Sequence, residues 1–222
     1  MIIAIDGPSA SGKSSIAREL GVKLGYKFIS SGYLYRIITL IAQRSSMSSS
    51  CDFISENRLL NLILENDISF NNSSFLLNGE NVENQILNDK IDFQVSFYSS
   101  YIGIRNIVNK KLREIVKFSD DNYIIEGRDI TTIVFPESEF KIYLDASVKV
   151  RALRRYKQRN GNETLEELER TLEIRDNVDK RKQYGKLKLS KGVFYLDTSY
   201  KGLDDVCNII IEKFNLKKVR ER

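Results

Sequence analysis

Residues Asp6–Ser15 read DGPSASGKSS, which places Gly7, Gly12, Lys13 and Ser14 in a Gly-x4-Gly-Lys-Ser spacing. Each position has a mechanical use. The two glycines let the backbone turn its N–H groups inward around phosphate oxygens, Lys13 reaches the terminal phosphates, and the Ser14 hydroxyl can ligate a bridging Mg²⁺. A helix opening at Lys13 adds the positive end of its dipole. The chemistry is the holding of a nucleoside triphosphate, and the spacing leaves the acceptor open, because GTPases, ATP-driven motors and small-molecule and nucleotide kinases all use it. A GTPase needs an Asn-Lys-x-Asp guanine motif, whereas the Asn109–Lys110 pair is followed by Lys111 and Leu112. The chain is short for a motor, so a kinase of a small acceptor remains, with a non-catalytic nucleotide sensor or an RNA-binding module as readings from another class.

The chain contains no histidine. That removes His-based triads, HExxH metal sites and imidazole acid–base catalysis, and leaves phosphoryl transfer, which rests on positioning and charge stabilisation. Basic side chains for that purpose fall in groups. Arg151, Arg155 and Arg159 recur at four-residue spacing, with Arg154 beside them. Like charges stacked this way repel by roughly a few tenths of a kcal/mol per pair unless an anion sits against them. A lid closing over ATP supplies one; a solvated helix face is the alternative. Arg175, Asp179 and Lys182 stand at i, i+4 and i+7, presenting base, acid and base on one helical face, either as a surface salt bridge or as a grip on a sugar hydroxyl and a phosphate. Ser31, Tyr35 and Arg36 follow one predicted strand and Arg128 and Asp129 another. Ligands of open α/β sheets bind outside the carboxyl ends of the strands, which is where both groups fall.

The elements that must carry these groups alternate. Apolar runs at IIAI before Asp6, Tyr26–Ser30, NYIIEG, Phe140–Ser147 and Gly192–Ser199 read as five strands of a mostly parallel sheet, with helices between them. Helices are expected from about Lys13, after Gly32, over ENRLLNLILEN, from about Asp89 to Phe118, from Val148 to Lys188 with a break near Gly161, and from about Leu203 to Phe214. The serine-rich Ser45–Ser50 reads as a loop or hinge, and Asp67–Val82, with runs around Asn71–Asn72 and an Asn78–Gly79 turn, as a small antiparallel hairpin or meander. The basic end LKKVRER reads as a solvated tail. With 41% hydrophobic residues the chain can bury one good core, and 35 basic against 30 acidic residues suit nucleotides without implying nucleic acid. Cys51 and Cys207 form neither a disulfide framework nor a zinc knuckle. MIIAI is too short for a signal peptide, and no run approaches a membrane span. A cytoplasmic protein without membrane association is the expectation.

DGPSASGKSS, SSGYLYR, EGRDITTIVFP, KIYLDAS followed by RALRR, and RDNVD occur together and in order, and the set resembles bacterial cytidylate kinase across essentially the whole chain. The resemblance implies an α/β P-loop three-layer fold with a five-stranded sheet, a β insert in a monophosphate-binding lobe and a helical lid. It implies one kinase domain over residues 1–222: a core at 1–30, 120–147 and 190–222, the lobe at about 31–119 and the lid at about 148–188. It implies transfer of the γ-phosphoryl group of MgATP to CMP or dCMP by a monomer, with no nucleic-acid partner. By the same resemblance Gly7, Pro8, Ser9, Ala10, Ser11, Gly12, Lys13, Ser14 and Ser15 hold ATP and Mg²⁺, and Arg151, Arg154 and Arg155 lie on the lid. Ser31, Arg105 and Asp129 match the cytosine-recognising group, Ser96, Arg175 and Asp179 the sugar contacts, and Arg36 and Arg128 the clamp on the acceptor phosphate. Tyr35 and Lys182 join the acceptor set, and Lys13, Arg128, Arg154 and Arg175 are the expected catalytic residues. Two positions depart from the family pattern: Ser30 stands where an aspartate is usual, and Lys182 where an arginine is usual. Lysine offers a point charge in place of a planar fork, so Lys182, or Arg181 by a small helix rotation, must take that role.

Overall fold

A computed structural model describes residues 1–46, 53–71, 73–158 and 163–219. Residues 47–50 of the serine-rich stretch, Cys51, Asn72, Arg159, Gly161 and the tail from Arg220 lie outside the described residues. The chain divides into two units, Met1–Phe28 with Asp121–Arg222, and Ile29–Asp120.

The first unit is built on a five-stranded sheet, ordered β2-β6-β1-β7-β8. β1 (Ile2–Asp6) is its centre, and its uninterrupted apolar run is explained by cover on both faces: Ile3, Ala4 and Ile5 are fully buried. It pairs in parallel with β6 (Tyr123–Gly127) on one side and β7 (Phe140–Asp145) on the other. β8 (Phe194–Asp197) extends the sheet in parallel beside β7, and β2 (Lys27–Ser30), at which the chain passes into the second unit, lies at the other edge. The mostly parallel sheet read from the sequence is therefore present. Its strand order reverses at β1, the place where open α/β sheets bind ligands. Helices α1 (Lys13–Leu24) and α9 (Leu203–Phe214) pack Ile16, Leu20, Val206 and Ile210 onto Ile3, Ile5, Ile142 and Leu144.

The charged stretch after β7 forms α7 (Val148–Gln158) and α8 (Leu165–Arg181), which share a small core of Ala152, Leu168 and Leu172. A capping box starts α8: Thr164 Oγ1 accepts from the Glu167 N–H at 3.2 Å, and Glu167 Oε2 accepts from the Thr164 N–H at 2.8 Å. The expected helix to Lys188 ends earlier, at Arg181. Lys182 turns to an extended ψ of 139°, and the Leu187 N–H returns to the Asp179 carbonyl at 2.8 Å, so burial of Leu187 ends the helix.

In the second unit α2 (Ser31–Ser46) is surrounded by α3 (Glu56–Leu64), α4 (Glu83–Ile86), α5 (Asp89–Tyr98) and α6 (Ile102–Lys117). The expected β insert is a three-stranded antiparallel sheet of β3 (Ile68–Asn71), β4 (Ser74–Leu77) and β5 (Glu80–Asn81), with Asn78–Gly79 turning between the last two. Ser45 and Ser46, expected in a loop, complete α2, and the Ser45 hydroxyl bonds back to the Ala42 carbonyl at 2.8 Å. The short α4 has no counterpart in the sequence reading.

Gly21, inside α1, receives the Tyr26 N–H on its carbonyl at 3.0 Å, and a Cβ there would lie 2.9 Å from the Tyr26 carbonyl oxygen. Helix propensity alone favours alanine by about 1 kcal/mol. The close approach reverses the sign, so Gly21→Ala is expected to destabilise the fold by about 1–2 kcal/mol in denaturant unfolding.

Candidate functional site

β1 delivers the chain into the phosphate-type loop, and the packing of that loop explains its sequence. A Cβ on Gly7 would run into the Leu144 carbonyl oxygen of β7, so only glycine lets the loop leave the sheet here. Gly12 is the N-cap of α1 with φ 92°, and Ala10 also adopts positive φ. Lys13 lies back across its own loop, its Nζ donating to the Pro8 carbonyl at 2.7 Å. Burial, with Arg128 adding repulsion, lowers its ammonium pKa to about 7, against the opposing attraction of Glu126 and Asp6. The Ser14 hydroxyl donates to Glu126 Oε1 at 3.1 Å. Glu126, at the end of β6 and paired in register with Ile5, is a site residue that the sequence reading missed. Ser14 and Glu126 together offer oxygen donors of the kind a hard divalent cation takes.

Two arginines of α7 brace the loop. Arg151, expected on the lid towards ATP, is turned inward: its guanidinium donates to the Ala146 carbonyl at 2.9 Å, the Ser9 carbonyl at 3.1 Å and Asp176 Oδ2 at 2.7 Å. Both partners of the ion pair are buried. Arg154 donates to the Ser11 carbonyl at 3.3 Å and to the Thr198 hydroxyl and carbonyl at 3.1 and 2.7 Å. Arg155 lies half-buried on the same helix. A pocket of about 440 Å³ opens here, bordered by Pro8, Tyr143, Asp145, Arg151, Asp176 and Lys180 among others.

After β6 the chain passes Arg128 and Asp129 and enters a π-helical turn, Ile130–Val134, that the sequence reading did not anticipate. Asp6, fully buried at the end of β1, accepts from the Ile130 N–H at 2.8 Å and from the Thr131 N–H and hydroxyl at 2.8 and 2.6 Å. Burial raises its pKa to about 6, the Thr131 and Ile130 bonds working against that rise. Arg128 Nε donates to Asp179 Oδ2, and Lys182 Nζ to Asp179 Oδ1, both at 2.9 Å. Burial favours the neutral acid, but Arg128, Lys182 and Arg175 override it and hold the Asp179 carboxyl well below the usual range. Lys182 thus reaches Asp179 from just beyond the helix end, Arg128 is the second bonded cation, and Arg175 contributes its charge to the same carboxylate.

The other predicted residues belong to the second unit. Ser31 opens α2, buried, and Tyr35 and Arg36 follow on the same helix. Arg36 donates to the Ile86 carbonyl at 2.9 Å and pairs with Asp92. Arg105 on α6 is 2% exposed, donates to the Ser99 carbonyl at 2.9 Å and lies 5.5 Å from the centre of the Tyr35 ring, a cation–π contact. Ser96 sits half-buried on α5.

A central strand, a glycine-bounded loop closing on its own lysine and a helix opening at that lysine define a P-loop protein of the nucleotide-binding class. The family model for cytidylate kinase matches residues 3–216. The chain is 94% identical over 222 residues to "Cytidylate kinase 1" of Borreliella afzelii (strain PKo), covering 100% of each, and 73% identical over 218 residues to "Cytidylate kinase" of Borrelia turicatae (strain 91E135), covering 98% of each. Its fold is also similar to the crystal structure of an uncharacterized protein from Eubacterium ventriosum, with a TM-score of 0.52 at 10% identity, covering 97% of this chain and 98% of that one. The chain belongs to the cytidylate kinase family.

Removing Arg151 leaves the Asp176 carboxylate buried without its cation. Arg151→Met is therefore expected to cost about 3–5 kcal/mol in urea unfolding, and Arg151→Met combined with Asp176→Leu to recover most of it.

Proposed function

We infer that the chain transfers the γ-phosphoryl group of ATP to CMP or dCMP, giving ADP and the corresponding diphosphate. The observation that carries the reading is the cytidylate kinase match running from residue 3 to 216. Gly7–Ser15 hold the triphosphate of ATP through backbone N–H groups, with Lys13 on its terminal phosphates. Arg154 and Arg155 balance charge as the phosphoryl group migrates, and Arg151 serves mainly to fix the Ser9 carbonyl and thus the loop. Ser14 and Glu126 hold Mg²⁺ with the nucleotide, and when bound the ion neutralises phosphate charge.

On the acceptor, Arg36 and Arg128 clamp the CMP phosphate, with Tyr35 stacked beneath the Arg105 guanidinium. Ser31, Arg105 and Asp129 read cytosine: a carboxylate accepts from the exocyclic amine, where uracil presents a carbonyl and leaves that acceptor facing another. Ser96, Arg175 and Asp179 contact the sugar. Lys182 supports Asp179 as a point charge, which the 2.9 Å pair favours. Transfer is an in-line displacement between two bound anions, without a covalent enzyme intermediate. The enzyme works as a cytoplasmic monomer with ATP and CMP or dCMP as its ligands and no nucleic-acid partner.

A coupled assay of ADP release with a panel of monophosphates tests the reading. CMP and dCMP are expected to outrun UMP and AMP, and Lys13→Ala to abolish turnover while leaving the fold intact. Equal rates with UMP would defeat the base-reading assignment, and ATP binding without CMP-dependent ADP release would make the protein a sensor.

The lowered Lys13 pKa makes a second prediction. Its lowered pKa brings the neutral form of Lys13 within reach near pH 7, and a bound polyanion favours the ammonium. MgATP binding is expected to take up a fraction of a proton near pH 7 and to weaken as pH rises through that region. Calorimetry in buffers of different ionisation enthalpy reads the uptake, and Lys13→Met should remove it.

A further inference from the structure

Asp6 is fully buried, and its carboxylate reaches the chain just beyond the residues proposed to read the acceptor. The β1–β6 register sets Asp6 opposite Gly127, so its side chain spans past Arg128 and Asp129 to the N–H groups of Ile130 and Thr131. Those two groups need an outside partner. The π-turn closes on itself only from its third residue onward, the Ile133 and Val134 N–H groups donating to the Asp129 carbonyl at 2.8 and 3.1 Å and the Phe135 N–H to the Ile130 carbonyl at 2.8 Å. Its first N–H groups are therefore orphans of the kind a helix N-terminus leaves, and Asp6 satisfies them from another strand. The Thr131 hydroxyl adds a third bond at 2.6 Å. The main chain of Asp129 is thus fixed on both sides, its carbonyl by the turn and the following N–H by Asp6.

We propose that Asp6 is a positioning residue for acceptor recognition: its carboxylate holds the start of the π-turn and so sets the direction in which Arg128 and Asp129 project. This rests on the proposed base-reading role of Asp129. Because Asp6 also ends the strand that launches the phosphate loop, one carboxylate ties the donor loop to the acceptor-reading segment. Charge-assisted bonds to backbone N–H groups are strong and directional, and a misplacement of reacting groups by about 1 Å can cost on the order of a hundredfold in rate.

The test separates positioning from general stability by reading a ratio. Thr131→Val keeps the shape and the backbone bonds but deletes the hydroxyl bond to Asp6; Thr131→Ser restores a hydroxyl. With folding confirmed by thermal melting, kcat/KM is measured for CMP and for UMP, together with KM for ATP. Thr131→Val is expected to lower kcat/KM for CMP about tenfold and the CMP-to-UMP ratio about threefold or more, with KM for ATP unchanged and Thr131→Ser close to the parent. If Thr131→Val fails to fold, Asp6→Asn is read by the same ratio, its amide turning a donor towards groups that are themselves donors. An unchanged ratio overturns the positioning role while leaving the proposed function standing. A parent protein with no preference for CMP over UMP sinks both.

Discussion

Backbone runs so close to backbone where Gly7 passes the Leu144 carbonyl that no side chain fits between them, and the geometry of the donor loop depends on that contact. It holds the loop against the end of β7, next to the strand that launches it. Lys13 can then lie across the loop to the Pro8 carbonyl, and Ser14 can meet Glu126 from β6. The neighbours of β1 on both sides thus contribute to one cradle: β7 limits its height, and β6 supplies its carboxylate. Parallel pairing makes this possible, because it brings the carboxyl ends of all three strands to one edge.

Charge is arranged around that edge at considerable desolvation cost, and the buried carboxylates Asp176 and Asp179 are each paired with named cations. Asp179 is held ionised by Arg128, Lys182 and Arg175, and Asp176 pairs with Arg151. Arg154 instead meets carbonyls, those of Ser11 and Thr198. Buried ion pairs give little net stability, because desolvation offsets their attraction, but they lock geometry once formed. The same environment leaves Lys13 the cation whose charge is least secure, since burial and Arg128 outweigh its acidic neighbours.

Much of this was legible in the sequence. Period and composition were enough for β1 and β6, because strands buried on both faces show as apolar runs, and β7 and β8 carried apolar runs as well, although β8 lies at the sheet edge and is only partly buried. The phosphate loop was legible because its residues are adjacent in the chain. What escaped depends on pairing between distant segments. Glu126 has no spacing that marks it in the sequence, and only the β1–β6 register places it at Ser14. Arg151 looked like part of a basic face because its helical spacing says nothing of Asp176 on the next helix. Lys182 was read as helical because its spacing continues the pattern, whereas burial of Leu187 five residues later decides where the helix stops. The π-turn has no periodicity of its own, and its start is held by Asp6 from the other end of the sequence.

The central position of β1 bears on how the chain is made. β1 leaves the ribosome before either of its sheet neighbours, both of which lie beyond the Ile29–Asp120 unit, the nearer one pairing Ile2 with Tyr123. At about 5–20 residues per second, that strand waits on the order of ten seconds for its first partner. During this interval Ile3, Ala4 and Ile5, destined for full burial, have no sheet to join. The second unit can gather its own helices and β insert meanwhile, so the central strand is made well before the pairing that completes its sheet.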